Sequence, residues 1–226
     1  MKFKKILLYS LYSIPLLLVC AALAFKIFQP VQVVPRIRLS PGFSMITQDS
    51  DTITNEDMRG KFVIYTFNYT RCPDPCGNIN ETMQEIQARL DEIDLGGIEV
   101  RFITVSFDPA YDTPEVLKAY ADSLGADTNQ WLFVTEPDPT LLKYTIGGGF
   151  KTYYEEKDDG SFAFDPRFVL VDGWGIIRGE YRYRTMAPDA DRILRHLGVL
   201  SEEVKKSTGT ASLAYEAAHY FLCYTP

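Results

Sequence analysis

Positive charge is in short supply. The chain carries 23 Lys and Arg against 30 Asp and Glu, a formal net charge of -7. No basic face is available to neutralise phosphates, which excludes nucleic acid as a partner class. Cysteine is scarce too, with four in 226 residues. An exported domain stapled by disulfides would carry more of them, spread through its loops. Low-complexity tracts are absent, and a chain that is 46% hydrophobic and 23% charged has room for one domain with a real core. The acidic balance suits a cationic protein partner or a metal ion.

What is present is concentrated at one place. Cys72 and Cys76, separated by three residues, sit in Tyr69-Thr70-Arg71-Cys72-Pro73-Asp74-Pro75-Cys76, directly after the apolar run Phe62 to Phe67. A strand hands over to a helix there, so thiolates lie near free backbone N–H groups and a favourable helix dipole. The pair reads as a sulfur-redox or soft-metal site; the bland alternative is an inert structural disulfide. Cys20 falls inside an apolar segment, where it serves as a small apolar residue. Cys223 stands three residues from the end.

From Ile6 to Phe25 no residue is charged, and Lys2, Lys4 and Lys5 precede the run. Twenty such residues span a hydrocarbon core, and the lysines stay cytoplasmic by the positive-inside rule. The expected location is the cell membrane, single-pass, with the domain on the extracytoplasmic face. Ala22-Leu23-Ala24 also resembles a signal-peptidase site, and Leu17 to Cys20 a poor lipobox; every one of these readings exports the domain. Three prolines in residues 27–41 suggest an extended spacer. The expected organisation is an anchor over residues 1–28, a linker over 29–41, a folded domain over 42–200 and a tail helix over 201–226.

Within the domain, strands and helices alternate. Phe62 to Phe67 and Ile98 to Phe107 read as strands flanking a helix over Asn80 to Ile93, and Thr113 to Leu124 reads as a second helix. Further candidates are a strand at Trp131 to Val134, a short helix at Pro139 to Ile146, a flexible break at Gly147 to Gly149, and a hairpin of Phe168 to Val171 with Ile176 to Tyr183. Ala187 to Leu197 closes the domain as a helix, and a separate tail helix follows from about Ala211 to Tyr224. This is the α/β order of a thioredoxin-like fold, with an N-terminal transmembrane anchor and an extra C-terminal helix.

At this point the sequence resembles the Sco/SenC family of cytochrome c oxidase assembly proteins. The matching segments are Gly60 to Val63, Tyr69 to Cys76, Phe107-Asp108-Pro109 with Asp112-Thr113-Pro114, and the hairpin from Phe168 to Gly173. The resemblance implies a membrane-anchored thioredoxin fold that delivers copper to, or reduces the cysteines of, the oxidase's binuclear copper site. It makes Cys72 and Cys76 the working residues, copper as Cu(I) the cargo, and the oxidase copper-site subunit or another redox protein the partner. Family members that bind copper usually add a histidine from an Asp-His-Ser motif. Here that run is Asp165-Pro166-Arg167, with proline where the imidazole belongs, and the chain's two histidines, His196 and His219, lie elsewhere.

Two thiolates alone can hold Cu(I), whereas Cu(II) prefers imidazole, so the loss of histidine hurts Cu(II) more. If Arg167 sits near the cysteines, its guanidinium favours thiolate, supports thiol–disulfide exchange and repels a cation; the alternative is a solvated surface charge. Asp108 and Asp112, beside Pro109, Thr113 and Pro114, read as turn and cap residues rather than acid/base groups. In the tail, His219 and Cys223 are four apart on one helix face and offer the imidazole and thiol of a replacement ligand set, against a reading of plain amphipathic packing. Three functions therefore stand: copper chaperone, thiol–disulfide oxidoreductase, and non-catalytic accessory subunit of a membrane respiratory complex.

Overall fold

The computed structural model describes residues 11–21, 23, 32–72, 76–182, 190–207 and 211–221. Its strands are β1 (Arg38–Leu39), β2 (Ser44–Thr47), β3 (Thr52–Thr54), β4 (Phe62–Asn68), β5 (Val100–Ser106), β6 (Trp131–Thr135), β7 (Tyr154–Glu156), β8 (Phe162–Phe164), β9 (Arg167–Val171) and β10 (Ile176–Arg182). The helices of the domain are α1 (Cys76–Ala88), α2 (Pro114–Leu124), α3 (Pro139–Lys143), α4 (Ala190–Lys205) and α5 (Ala211–Phe221). Eight strands form one mixed sheet in the order β1-β10-β9-β4-β5-β6-β2-β3, and β7 and β8 make a separate hairpin.

The central strands are apolar on both faces because both faces are covered. Phe62, Ile64, Phe168 and Leu170 face one core, with Ile79, Met83 and Ile86 of α1, Leu117 of α2, and Ile193 and Leu197 of α4. Val63, Tyr65, Phe67, Val169 and Val171 face the other, filled by Leu142 of α3, by Ile146 and by Phe150. β4 and β5 are parallel with α1 between them, and β9 pairs antiparallel with the other edge of β4. The β9–β10 turn meets the start of β4 so closely that a Cβ on Gly173 would stand 3.1 Å from the backbone of Gly60; Gly60 also donates its N–H to the Gly173 carbonyl at 2.9 Å.

Several expectations need correction. The helix expected over Asn80 to Ile93 opens at Cys76, ends at Ala88 and is followed by a 3-10 turn at Leu90–Glu92. The Gly147 to Gly149 break belongs to a wide helical turn, Tyr144–Gly149, continuous with α3. α4 does not stop near Leu197: it runs on to Lys205, because Leu200 and Ser201 remain buried and Ser201 donates its hydroxyl to the Asp94 carbonyl at 2.8 Å. Residues 187–189 of that expected helix lie outside the described residues.

The spacer expected over residues 29–41 is, from Gln32 onward, part of the folded unit. Val33 and Val34 are fully buried, Arg38 pairs with Ile177, and Ser40 donates its N–H to the Gly175 carbonyl. Short strands β1, β2, β3, β7 and β8 escaped sequence reading, since two to four residues are too few to show a period. Residues 11–21 are helical and exposed, but among the described residues no helix is long and apolar enough to cross a membrane. The rest of the expected span, residues 6–10, 22, 24 and 25, lies outside them.

Candidate functional site

Parallel pairing of β4 with β5 sets Asn68 opposite Ser106, so the two strands deliver their following loops to the same end of the sheet. One loop carries Cys72, the other Asp108 and Asp112. Cys72 closes a turn by donating its N–H to the Tyr69 carbonyl at 3.1 Å. It is half-buried, packs against both cores and is disulfide-bonded. Cys76 opens α1, though its side chain, like the whole of Cys223, lies outside what the structure describes. Cys20 is an exposed free thiol.

Two carboxylates fasten the cysteine loop to the turn after β5. Asp112 is fully buried and accepts from the Thr70 N–H at 3.0 Å, from the Thr70 hydroxyl and from the Ser106 hydroxyl. Asp108, 4% exposed, accepts from Nε of Arg71 at 3.0 Å and from its Nη2, while that guanidinium lies 4.5 Å over the Tyr111 ring. The turn expected here is present, with the Tyr111 and Asp112 N–H groups on the Asp108 carbonyl, and the cap of α2 is Thr113, whose hydroxyl accepts from the Val116 N–H; the aspartate side chains themselves serve the cysteine loop. A hydroxyl and a cation directly before Cys72, matched by two carboxylates four residues apart, were the pattern that could have revealed the link.

Beneath the loop, Asn68 donates to Asn80 of α1 at 3.3 Å, and Asn80 donates to the Tyr120 hydroxyl of α2 at 2.7 Å. Both asparagines are buried, so each polar group needs the partner it has. Beside it stands an aromatic wall: Tyr69 meets Phe107, Phe162 and Phe164 at 5.3, 5.0 and 6.3 Å between ring centres. A cavity of about 630 Å³ opens along this wall, lined by Phe107, Asp108, Leu142, Tyr154 and Phe162 among others.

Pro166 precedes β9 at this same end of the sheet. Arg167 is neither a solvated surface charge nor directed at the α1 face. It is 1% exposed and shares its face with Val169 and Val171, and its Nη1 donates to the Phe150 carbonyl at 3.2 Å. Burial, aided by Arg182, pushes its pKa down to about 10.

His219 is the clearest correction, because it lies at the opposite end. Val171 pairs with Val63 at the start of β4, and Asp172 follows it. From Asp172 ion pairs lead to Arg178 at 2.9 Å and on to Glu203 at 2.6 Å, and Glu203 in turn shares a 2.8 Å hydrogen bond with His219 Nε2. Cys72 lies beyond the far end of β4, whose seven residues span about 23 Å. His219 therefore cannot serve as a ligand beside Cys72. Among the described residues no group of three or more His, Cys, Asp and Glu is placed to hold a metal ion.

A mixed sheet with helices on both faces and a cysteine loop between β4 and α1 defines a thioredoxin-like domain. The SCO1/SenC family model matches residues 33–200, and the chain belongs to that family. A Stutzerimonas stutzeri protein named for copper binding is 27% identical over 164 residues, covering 73% of this chain and 79% of its own length. The Arabidopsis thaliana protein "SCO1 homolog 1, mitochondrial" is 26% identical over 131 residues, covering 57% of this chain and 37% of its own length. The solved structure of BsSco, titled as a member of the Sco family of cytochrome c oxidase assembly proteins with a disulfide switch, shares the fold with a TM-score of 0.64 at 22% identity, over 75% of this chain and 97% of that one.

Proposed function

We propose that the protein is a membrane-anchored, extracytoplasmic assembly factor for the copper site of cytochrome c oxidase, acting through the thiol pair Cys72 and Cys76. The observation that carries this reading is Cys72 itself, a half-buried, disulfide-bonded cysteine at the strand-to-helix junction of a SCO1/SenC domain. The proposed organisation keeps the anchor in residues 1–28 and the domain outside the cytoplasm. BsSco's title, with its disulfide switch and oxidase assembly, supports it.

In the reduced protein, one thiolate attacks a disulfide between the partner's copper-site cysteines. A mixed disulfide forms and one partner thiolate leaves. The second cysteine then attacks its neighbour's sulfur, releases the other partner thiolate and closes the Cys72–Cys76 disulfide, so two electrons pass to the partner. The same reduced pair can carry Cu(I) as cargo between two soft thiolates; the Stutzerimonas relative named for copper binding supports this. Pro166, where the family resemblance calls for histidine, weights the reading toward thiol exchange and away from Cu(II).

The test is anaerobic. Reduced protein and its Cys72→Ser variant are titrated with Cu(I) against a competing chelator, and separately mixed with an oxidised peptide carrying the oxidase copper-site cysteines. Reduction of the peptide by the parent and not by the variant is the expected result, with one-to-one Cu(I) binding lost in the variant. A parent that does neither overturns the reading, and exchange without copper leaves a pure thiol reductant.

A further inference from the structure

We infer that Asp112 is a positioning residue for the cysteine pair: it holds the loop before Cys72 in the shape in which the disulfide closes. The inference deepens the thiol-exchange reading and rests on it. Thr70, two residues before Cys72, is bound to this carboxylate through both its backbone N–H and its hydroxyl. Asp112 is fully buried and its own position is rigid. Its N–H donates to the Asp108 carbonyl at 2.8 Å, and the next residue, Thr113, caps α2, which is locked into the core by Leu117 and Ala121.

The consequence appears on reduction. A dithiol reductant breaks the S–S bond, two electrons and two protons arrive, two thiols form and the reductant leaves as its own disulfide. The covalent link is then gone, and the Thr70–Asp112 hydrogen bonds are among the contacts that keep Cys72 in place. A loop already in the closed shape raises the effective concentration of one thiol at the other. Loosening it makes the same disulfide easier to reduce, whereas contacts that merely stabilise the fold act on both redox forms alike.

The experiment equilibrates the full chain with dithiothreitol at fixed ratios of its reduced and oxidised forms, and measures Tm of the oxidised and reduced protein. The variants are Asp112→Asn, Thr70→Val and Ser106→Ala. Asp112→Asn and Thr70→Val are expected each to lower the equilibrium constant for disulfide formation about tenfold, which is about 30 mV for a two-electron couple. In both, the oxidised form loses more Tm than the reduced form. Ser106→Ala removes a donor from Asp112 and the acceptor of the Asp108 N–H but leaves both bonds from Thr70 to Asp112 in place, and is expected to lower both Tm values nearly equally.

Equal Tm losses with an unchanged equilibrium constant in Thr70→Val overturn the inference, even if Asp112→Asn fails to fold. A shift in Ser106→Ala as large as in Thr70→Val overturns it as well, since the effect would not then run through the Thr70–Asp112 bonds. The titration reads only this chain's own disulfide, so failure to bind Cu(I) or to reduce the peptide would refute the proposed function without mimicking either outcome.

Discussion

The two ends of the sheet are both rich in buried polar groups, yet they are built on different chemistry. At the cysteine end, aspartates accept from a backbone N–H, from hydroxyls and from one partly exposed arginine. At the other end, full ion pairs are sunk in the protein. Arg178, 4% exposed, donates to Asp172, to Glu203 and to the carbonyls of Val34 and Pro35. Around that guanidinium gather the N-terminal segment, α4 and α5, with Glu216 on Arg36 at 2.9 Å and Val33 packed on Tyr215 and Ala218.

The difference follows from what each end must do. Under the proposed function, a loop whose disulfide opens and closes needs a hold other than the covalent link, and hydrogen bonds to a buried carboxylate supply one. An end that gathers four chain segments gains from charges that are costly to separate, since removing one partner of a buried pair leaves the other unpaired in low dielectric.

The largest expected effect lies at the ionic end. Arg178→Met should cost about 3–5 kcal/mol in urea unfolding, because it takes the buried cation from Asp172 and Glu203 and a donor from two carbonyls. If the comparison holds, the dithiothreitol equilibrium of the Cys72 disulfide is unchanged in that variant; a shift of tenfold would show that the two ends are coupled. Next comes acid. His196 is buried, and its Nδ1 shares a 2.6 Å hydrogen bond with the Tyr181 hydroxyl; burial, with Arg195 and Arg192 nearby, pushes its pKa down to about 4.

The neutral form is therefore the one the fold favours. Its contribution to stability is fully present above the unfolded-state pKa of about 6.5 and drains away as pH falls toward 4, by at most about 1.4 kcal/mol per pH unit. Denaturant midpoints between pH 7 and 4 should fall less steeply in His196→Gln, and an identical slope would reject this assignment. The smallest effect is at the surface. Glu216→Gln breaks an exposed pair with Arg36 and should cost about 0–1 kcal/mol, with the loss smaller still in high salt; a cost above that would mean that the tail helix is held mainly by this pair.

Legibility differed with range along the chain. β4, β5, β6, the β9–β10 hairpin and α2 were readable, because each is a local run with its own period, cap or turn residues, such as Thr113-Pro114 before α2 and Asp172-Gly173 in the hairpin. α4 was cut short because Glu202, Glu203, Lys205 and Lys206 look like a polar linker, although Glu203 turns inward to Arg178 and the others form exposed pairs along the helix. His219 falls on α5, but the spacing that suggested it carries no information on which end of the sheet that helix meets, and Cys223 lies outside the described residues.

By itself the sequence determined the class of fold, the place of Cys72 and Cys76 at a strand-to-helix junction and the proline at position 166, since all three are read from contiguous residues. Only the tertiary structure decided that Thr70 rests on Asp112, 42 residues away, that Arg178 reaches back 144 residues to Val34, and that Arg167 turns from the cysteine helix. Those outcomes depend on strand register and on the irregularity between Ile177 and Gly179 in β10. A one-residue shift there moves a side chain to the other face of the sheet, and no local pattern records which face was chosen.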